Sequence, residues 1–466
     1  MEFILNDKSI SASNPGGMTL LDFIRYEQCL VGTKIGCREG DCGACTILVG
    51  ELADGKMKYQ SLTSCISPMI NASGKHVVTI EGLNMSELSP VQQSMIEANG
   101  TQCGFCTVGF VVSLSGYCLK EQAATLEGGI SAIDGNICRC TGYKSIERAT
   151  AKIVDQLKGK DLTDPIAWLA LKGFIPDYFL NIPERLAKIL ATPSKLEDAS
   201  SILVGGGTDL YVQRLEEFIE EEVHNASTKK LSRKITTKGN RCTIGASATV
   251  TDMLESPVFH EYFPELRKHV KLISSTQIRN MGTLAGNFVN ASPIGDLTIY
   301  FLALKASITL RKDNGDERVV PMKNFYKGYK TLEKGDDEYI SDVQFDFNHR
   351  AKFNFEKVSK RTNLDIASVN SAISLEVSGG RIKEVAISVG GVGPIPLFLD
   401  KTSEYLHGKE LTPRILLEAT QILLSEISPI SDARGTKEYK ALLSRQLFYA
   451  HFIELFPESF TIGELV

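Results

Sequence analysis

The sequence predicts a multidomain α+β chain, and three observations carry that expectation. Its 466 residues are about three times the length of a typical single domain. Short, glycine-punctuated β runs give way to helical periodicity near Ser89, and a mixed region follows. Ten of the eleven cysteines fall in the first 140 residues, with only Cys242 beyond them.

Composition narrows the class. A hydrophobic content of 43% with 23% charged residues fits a globular chain and excludes wholesale disorder. Fifty-one Lys and Arg against 56 Asp and Glu leave a net charge of −5, so no basic excess exists to neutralise phosphates, and nucleic acid is excluded as the main partner. No apolar run reaches the ~18 residues of a membrane span. The start, Met1-Glu-Phe-Ile-Leu-Asn-Asp, has no basic region ahead of a long apolar stretch, so a cytoplasmic chain is expected. In that compartment thiols stay reduced, and clustered cysteines bind metal more often than they pair as disulfides.

Residues 1–82 read as a small β-rich domain, with strands at Thr46-Ile-Leu-Val, Lys58-Tyr-Gln-Ser-Leu and Val77-Val-Thr-Ile and one helical stretch from Leu20 to Tyr26. Residues 83–158 read as helical. Ser89 and Pro90 suit an N-cap and first turn, and Val108 to Leu119 and Ile146 to Leu157 carry helical spacing. The charged segment 159–177, containing Asp164-Pro165, is expected to be a linker. From 178 to 345 a mixed α/β domain is expected, with helices at Ala187–Leu190 and Leu196–Ala199 and a strand at Ile202-Leu-Val. The last domain, 346–466, should pair Ile373-Ser-Leu-Glu-Val with Val385-Ala-Ile-Ser-Val as antiparallel strands and close on helices Pro413–Glu426 and Glu438–Glu454.

The first cysteine group is Cys37, Cys42, Cys45 and Cys65, spaced C-x4-C-x2-C-x19-C. Three thiolates within nine residues converge on one centre only if the backbone wraps around it, and Gly36, Gly40 and Gly43 permit that wrapping. The spacing is the plant-type ferredoxin arrangement for a 2Fe–2S cluster, with the fourth cysteine closer than usual; zinc is the alternative. The second group pairs Cys103 and Cys106 with Cys138 and Cys140 across 31 residues of helical sequence. Two pairs on two helix ends can close a four-thiolate cage, which fits a cluster or zinc better than a lone redox dithiol. Cys29, Cys118 and Cys242 lack partners at ligand spacing, and Cys118 reads as buried packing.

Two glycine loops complete the candidates. Leu203, Val204, Gly205, Gly206, Gly207, Thr208, Asp209 and Leu210 follow a short apolar strand, and consecutive glycines expose backbone N–H groups able to cradle a phosphate. A plain strand turn is the alternative, since neither standard nucleotide motif is present. The second loop, Thr283, Leu284, Ala285, Gly286 and Asn287, runs on to Asp296. Two such loops suit a dinucleotide.

The strings CREGDCGACT at 37–46, QCGFCT at 102–107 and NICRCTGY at 136–143 resemble the paired 2Fe–2S domains of the xanthine dehydrogenase group in the molybdenum hydroxylase family. The glycine loops and SPIGD at 292–296 are similar to that family's FAD domain, and the tail from Ile430 resembles the end of its bacterial small subunits. The resemblance implies a β-grasp plant-type ferredoxin domain, a four-helix iron–sulfur domain, a two-part α/β FAD-binding domain of the vanillyl-alcohol-oxidase type and a C-terminal α+β flavoprotein domain. It assigns Cys37, Cys42, Cys45 and Cys65 to one cluster and Cys103, Cys106, Cys138 and Cys140 to the other. It places Leu203–Leu210, Thr283–Asn287 and Asp296 at FAD, with Lys357 and Asp365 near the flavin. Val108 stands where the family commonly has proline, and a small packing change is expected there.

The implied activity is that of an electron-transfer subunit. Hypoxanthine or xanthine would be oxidised to urate on a large molybdopterin-binding partner, with NAD+ as final acceptor, in a heterotetramer of two small and two large subunits. No substrate-contacting catalytic residue is expected on this chain, and His451, on an aromatic-rich helix, reads as packing. The alternatives are the equivalent part of an aldehyde, nicotinate or carbon monoxide dehydrogenase, or a zinc-binding assembly module.

Overall fold

The computed structural model describes residues 1–191, 202–226 and 231–465. The helix expected at Leu196–Ala199 lies outside the described residues. Two compact units emerge. One comprises Met1–Lys229 with Ser275–Gly282, and the other Lys230–Ser274 with Thr283–Val466.

The first unit is built on a five-stranded mixed sheet in the order Lys8–Ser11, Glu2–Leu5, His76–Val78, Thr46–Ala53 and Lys56–Thr63. The first two strands form a hairpin, and Glu2–Leu5 then pairs parallel with His76–Val78. Alternation explains why these strands read as continuous apolar runs. Phe3, Leu5, Ile47, Val49 and Val77 face Leu20, Leu21, Phe23 and Ile24 on one side. Ile4, Leu48 and Val78 face the helical domain on the other, so the sheet is buried on both faces.

Four helices follow: Pro90–Glu97, Thr107–Cys118, Leu126–Ala132 and Lys144–Gln156. Ser89 and Gln92 form a reciprocal capping box at the first of them. Thr107–Cys118 is apolar around most of its circumference and sits in the middle of the core, buried from Gly109 to Cys118. Segment 159–177, expected as a linker, instead contributes to this core. Asp164 caps a helix at Pro165–Leu171 through the Ala167 N–H, and Leu169, Phe174 and Ile175 are buried with the helical domain. The Asp-Pro pair read as a break is the N-cap and first position of a helix, where proline's missing N–H costs nothing. Ile202–Val204 pairs parallel with Val223–Asn225, and Val204, Tyr211, Phe218 and Val223 pack with the ferredoxin-like core.

The second unit holds an antiparallel five-stranded sheet, Glu317–Pro321, Ser307–Lys312, Glu338–Asp346, Arg241–Gly245 and Ile235–Lys238. A second sheet runs Lys352–Val358, Val369–Ser378, Arg381–Gly390 and Leu397–Phe398, with the expected antiparallel pairing of Ile373 opposite Ile387. Helix Asp296–Ala303 is buried along nearly its whole length. Helices Pro413–Glu426 and Lys437–Leu455 cover the second sheet's apolar residues. Among the described residues no helix is long and apolar enough to cross a membrane.

Candidate metal centres and cofactor loops

The first cysteine loop wraps because its backbone enters the left-handed region at Arg38, Gly40 and Gly43. The Arg38 guanidinium makes two hydrogen bonds to Asp22, at 3.1 and 2.7 Å, which tie the loop to the N-terminal helix. A methyl group on Gly36 would lie 2.6 Å from Cys42 Sγ, so only glycine leaves room for that sulfur. The four thiols run as a chain of neighbours, Cys42 to Cys37 to Cys65 to Cys45. Hydrogen bonds from Cys42 and Cys65 hold Cys37 far below the ordinary thiol range, and one from Cys65 lowers Cys45. Cys42 and Cys65 shift up as the donors. The Glu39 N–H also donates to Cys37 Sγ at 3.3 Å. A site that favours thiolate on part of its sulfurs and aims N–H groups at them has the chemistry of a metal–thiolate centre.

The second set comes from two helix starts. Cys106 is the N-cap residue of Thr107–Cys118, and Cys138 and Cys140 precede Lys144–Gln156, whose cap Tyr143 is left-handed. Cys140 Sγ lies 3.6 Å from Cys103 Sγ. Cys106 neighbours Cys138; burial, then that contact, pushes Cys106 up to about 12. Burial opposes ionisation of Cys138, but the Thr141 hydroxyl at 3.1 Å and its N–H at 3.4 Å, together with hydrogen bonds from the Cys140 N–H and Cys106, lower the thiol. Cys103 and Cys140 are exposed, whereas Cys45 and Cys65 are buried. Phe105, Ile137 and Tyr143, next to the second set in sequence, are also exposed.

Both donor sets fit a two-iron cluster, which takes four thiolates, two at each iron. The two loops are also joined directly, since the Ile137 N–H donates to the Cys42 carbonyl at 3.0 Å. Cys118 and Cys242 are buried, which pushes each up to about 12, and Cys29 is exposed.

The glycine loops divide between the units. In the first, a methyl on Gly206 would lie 1.9 Å from the Met281 carbonyl oxygen, and Gly207, with φ +86°, would meet Pro68 at 2.8 Å. These two glycines are demanded by packing inside the protein. Gly205, Thr208, Asp209 and Leu210 are half-buried. In the second unit Thr283 caps helix Leu284–Asn290, accepting from the Gly286 N–H at 3.1 Å. Asn287 Oδ1 is buried with no hydrogen-bond partner among the described residues, a free acceptor that fits the hydroxyl-rich part of a dinucleotide.

Asp296 and Lys357 turn out to be partners. Lys357 Nζ donates to Asp296 Oδ2 at 2.6 Å and to the Leu272 carbonyl at 2.7 Å, with its side chain 2% exposed. Asp296 Oδ1 accepts from Asn370 Nδ2 at 2.6 Å. This salt bridge is buried, not set on a solvated strand edge. Asp365 accepts from the Arg361 and Ile366 N–H groups at 2.8 and 3.0 Å. It lines a cavity of about 310 Å³ with Lys360, Ile366, Ser368, Asp432 and Arg434. The sequence reading missed Asn370, Ile137 and Asn136. Only Asn136 and Ile137 carried a signal, as neighbours of Cys138.

Comparison with known proteins finds four domains in series. Residues 3–69 match a 2Fe-2S iron-sulfur cluster binding domain and 79–151 a second 2Fe-2S binding domain. Residues 178–345 match the FAD binding domain in molybdopterin dehydrogenase, and 355–455 the CO dehydrogenase flavoprotein C-terminal domain. The four stretches are thus similar, in this order, to two 2Fe-2S-binding domains and to two flavoprotein domains of molybdopterin and CO dehydrogenases. Xanthine dehydrogenase 1 of Arabidopsis thaliana is 28% identical over 94% of this chain and 38% of its own length. Aldehyde oxidase 2 of Mus musculus is 26% identical over 98% of this chain and 39% of its own. The chain therefore spans about two fifths of the curated relatives it matches. Among solved structures, a chain of the carbon monoxide dehydrogenase from Hydrogenophaga pseudoflava is 26% identical, with a TM-score of 0.50, covering 54% of this chain and 88% of its own. This chain, then, carries two 2Fe–2S-binding domains ahead of an FAD-binding domain and a flavoprotein domain.

Proposed function

We propose that this chain is the electron-transfer subunit of a xanthine dehydrogenase-like molybdenum hydroxylase. Its large partner would carry molybdopterin and oxidise hypoxanthine and xanthine to urate, NAD+ would be the final acceptor, and two copies of each subunit would assemble. The observation that carries the reading is the contrast between the cysteine sets. One has an open edge at Cys103 and Cys140, the other buries Cys45 and Cys65, and the two are joined through Ile137 and Cys42. An open set suits exchange with a partner, and a buried one suits exchange within the chain.

Bound 2Fe–2S clusters exchange single electrons, and FAD links that traffic to two-electron hydride chemistry. Cys37, Cys42, Cys45 and Cys65 would ligate one cluster, and Cys103, Cys106, Cys138 and Cys140 the other. The N–H and O–H groups of Glu39 and Thr141 favour the thiolate forms that ligation needs. Leu203–Leu210 and Thr283–Asn287 would hold FAD, with the Asn287 acceptor turned to the ligand. Asp296, held by Lys357 and Asn370, would lie at FAD, with Lys357 near the flavin, and Asp365 would present its carboxylate to a cavity edge. A second reading, an aldehyde-oxidising or carbon monoxide-oxidising complex, rests on the likeness to aldehyde oxidase 2 along 98% of this chain and on the CO dehydrogenase flavoprotein match at 355–455.

The test is purification of the chain with its partner. The proposal expects about four irons and one FAD per chain, visible absorbance bleached by dithionite, and NAD+ reduction with xanthine. Turnover with aldehydes alone would select the second reading. A colourless protein that binds zinc would refute both.

A further inference from the structure

Segment Ser275–Gly282 belongs by its contacts to the iron–sulfur unit, although in sequence it runs directly into the loop Thr283–Asn287. Its polar side chains are buried, Ser275, Gln277, Arg279 and Asn280 among them. They reach both cysteine-bearing domains. Asn280 Nδ2 donates to the Ser61 carbonyl of the ferredoxin-like sheet at 2.9 Å. Arg279 pairs with Asp134 at 2.5 Å with both side chains 5% exposed, and the Thr276 N–H donates to the same carboxylate at 2.7 Å.

At the centre is an amide hub. Gln277 Nε2 donates to Asn136 Oδ1 at 3.0 Å, to Ser113 Oγ at 3.0 Å and to the Ala132 carbonyl at 3.1 Å. The Ser113 hydroxyl donates to Asn136 Oδ1 at 2.8 Å. Asn136 Nδ2 then donates to the Gly43 carbonyl at 3.0 Å and to Thr46 Oγ1 at 3.3 Å. Asn136 thus fills both acceptor and both donor positions of its amide. It does so between Gly43, which follows Cys42, and Ile137, which precedes Cys138 and bonds to the Cys42 carbonyl. The fit leaves no slack: a methyl on Gly43 would lie 2.4 Å from the Gly135 carbonyl oxygen, and one on Gly109 would lie 2.3 Å from the Gly43 oxygen.

The Asn136 amide, buried with every hydrogen bond made, has one favourable geometry, because each bond left unmade strands a desolvated polar group. That specificity is placed at the contact between the two metal-binding loops. We propose that Asn136 and Gln277 are positioning residues for electron exchange between the two cysteine sets, holding the Ile137 N–H on the Cys42 carbonyl and so fixing the separation and orientation of the two centres. Each exchange moves one electron from one centre to the other, oxidising the first and reducing the second, with no bond made or broken at the amides. The inference rests on the cluster assignment given above.

The test uses the full, cofactor-loaded chain with Gln277→Met, which keeps the side-chain length but removes the donor, and Asn136→Ala. Iron content and the two individual paramagnetic signals of dithionite-reduced protein report on cluster assembly. The magnetic splitting between those signals, and the rate of electron re-equilibration between the centres after flash reduction, report on positioning. The expected result is about four irons and two signals in Gln277→Met, with weaker splitting and exchange slowed on the order of tenfold. Asn136→Ala should show a larger loss of both. Unchanged splitting and rate in both variants would overturn the proposal while leaving the cluster assignment intact. Loss of iron from Gln277→Met, whose side chain touches no cysteine, would also overturn it, since the hub would then be needed to fold the loops. An unmodified protein without iron would bring down the assignment itself.

Discussion

Replacing Lys357 by methionine keeps an apolar stem of similar length but removes a buried ammonium. Lys357 makes two hydrogen bonds, one to Asp296 and one to the Leu272 carbonyl, and its side chain is 2% exposed. Breaking a buried pair from one side costs about 3–5 kcal/mol, because the remaining charge is stranded. Asp296 is 14% exposed and retains the Asn370 amide at 2.6 Å, which places the expected loss near the lower end, about 3 kcal/mol. For a unit of roughly 230 residues this corresponds to a fall in melting temperature of about 6–12 °C. Differential scanning calorimetry of the whole chain would measure it. Adding Asp296→Asn removes the stranded charge, and the double variant should recover at least half of the loss. A single variant that melts within about 2 °C of the parent, or a double variant less stable than the single, would refute the reasoning.

Three further outcomes follow from the structure. His451 is held down to about 3, by burial and then by His269, with Asn354 and Ser371 as its hydrogen-bond partners. It stays neutral when folded and takes a proton when unfolded, so stability is lost as pH falls through about 6.5 toward 3; by pH 5 His451 should cost about 2 kcal/mol, and His451→Gln should lessen the fall in melting temperature between pH 7 and pH 5 by about 4–8 °C. Cys138→Ser should reduce iron from about four to about two per chain while the other centre's paramagnetic signal persists, and loss of both signals would contradict two independent donor sets. Gly43→Ala places a methyl 2.4 Å from the Gly135 carbonyl at a residue with φ +67°, so iron should be lost from both sets, as read by metal analysis and visible absorbance.

The parts of the molecule legible in the sequence are those set by near neighbours. Ser89 and Pro90 announce a helix start because capping acts over three residues, and the structure has the full capping box there. Helix Pro413–Glu426 was legible from proline at its first turn and apolar periodicity. The same kind of reasoning failed at Asp164-Pro165, because that pair is chemically as good a cap as a break. The buried faces of Leu169 and Phe174, contributed from elsewhere in the fold, decide which it is.

The cysteine spacing alone pointed to two donor sets, since most members of each arrive in short stretches whose geometry the intervening glycines permit. What it left undetermined was which set is exposed, how the two loops join and what Asp296, Lys357 and Gln277 do. Lys357 finds Asp296 across 61 positions and Gln277 finds Asn136 across 141. Such pairings are fixed by which apolar faces pack together, and a buried charge or amide declares its role only when that packing removes water and leaves it a fixed set of partners.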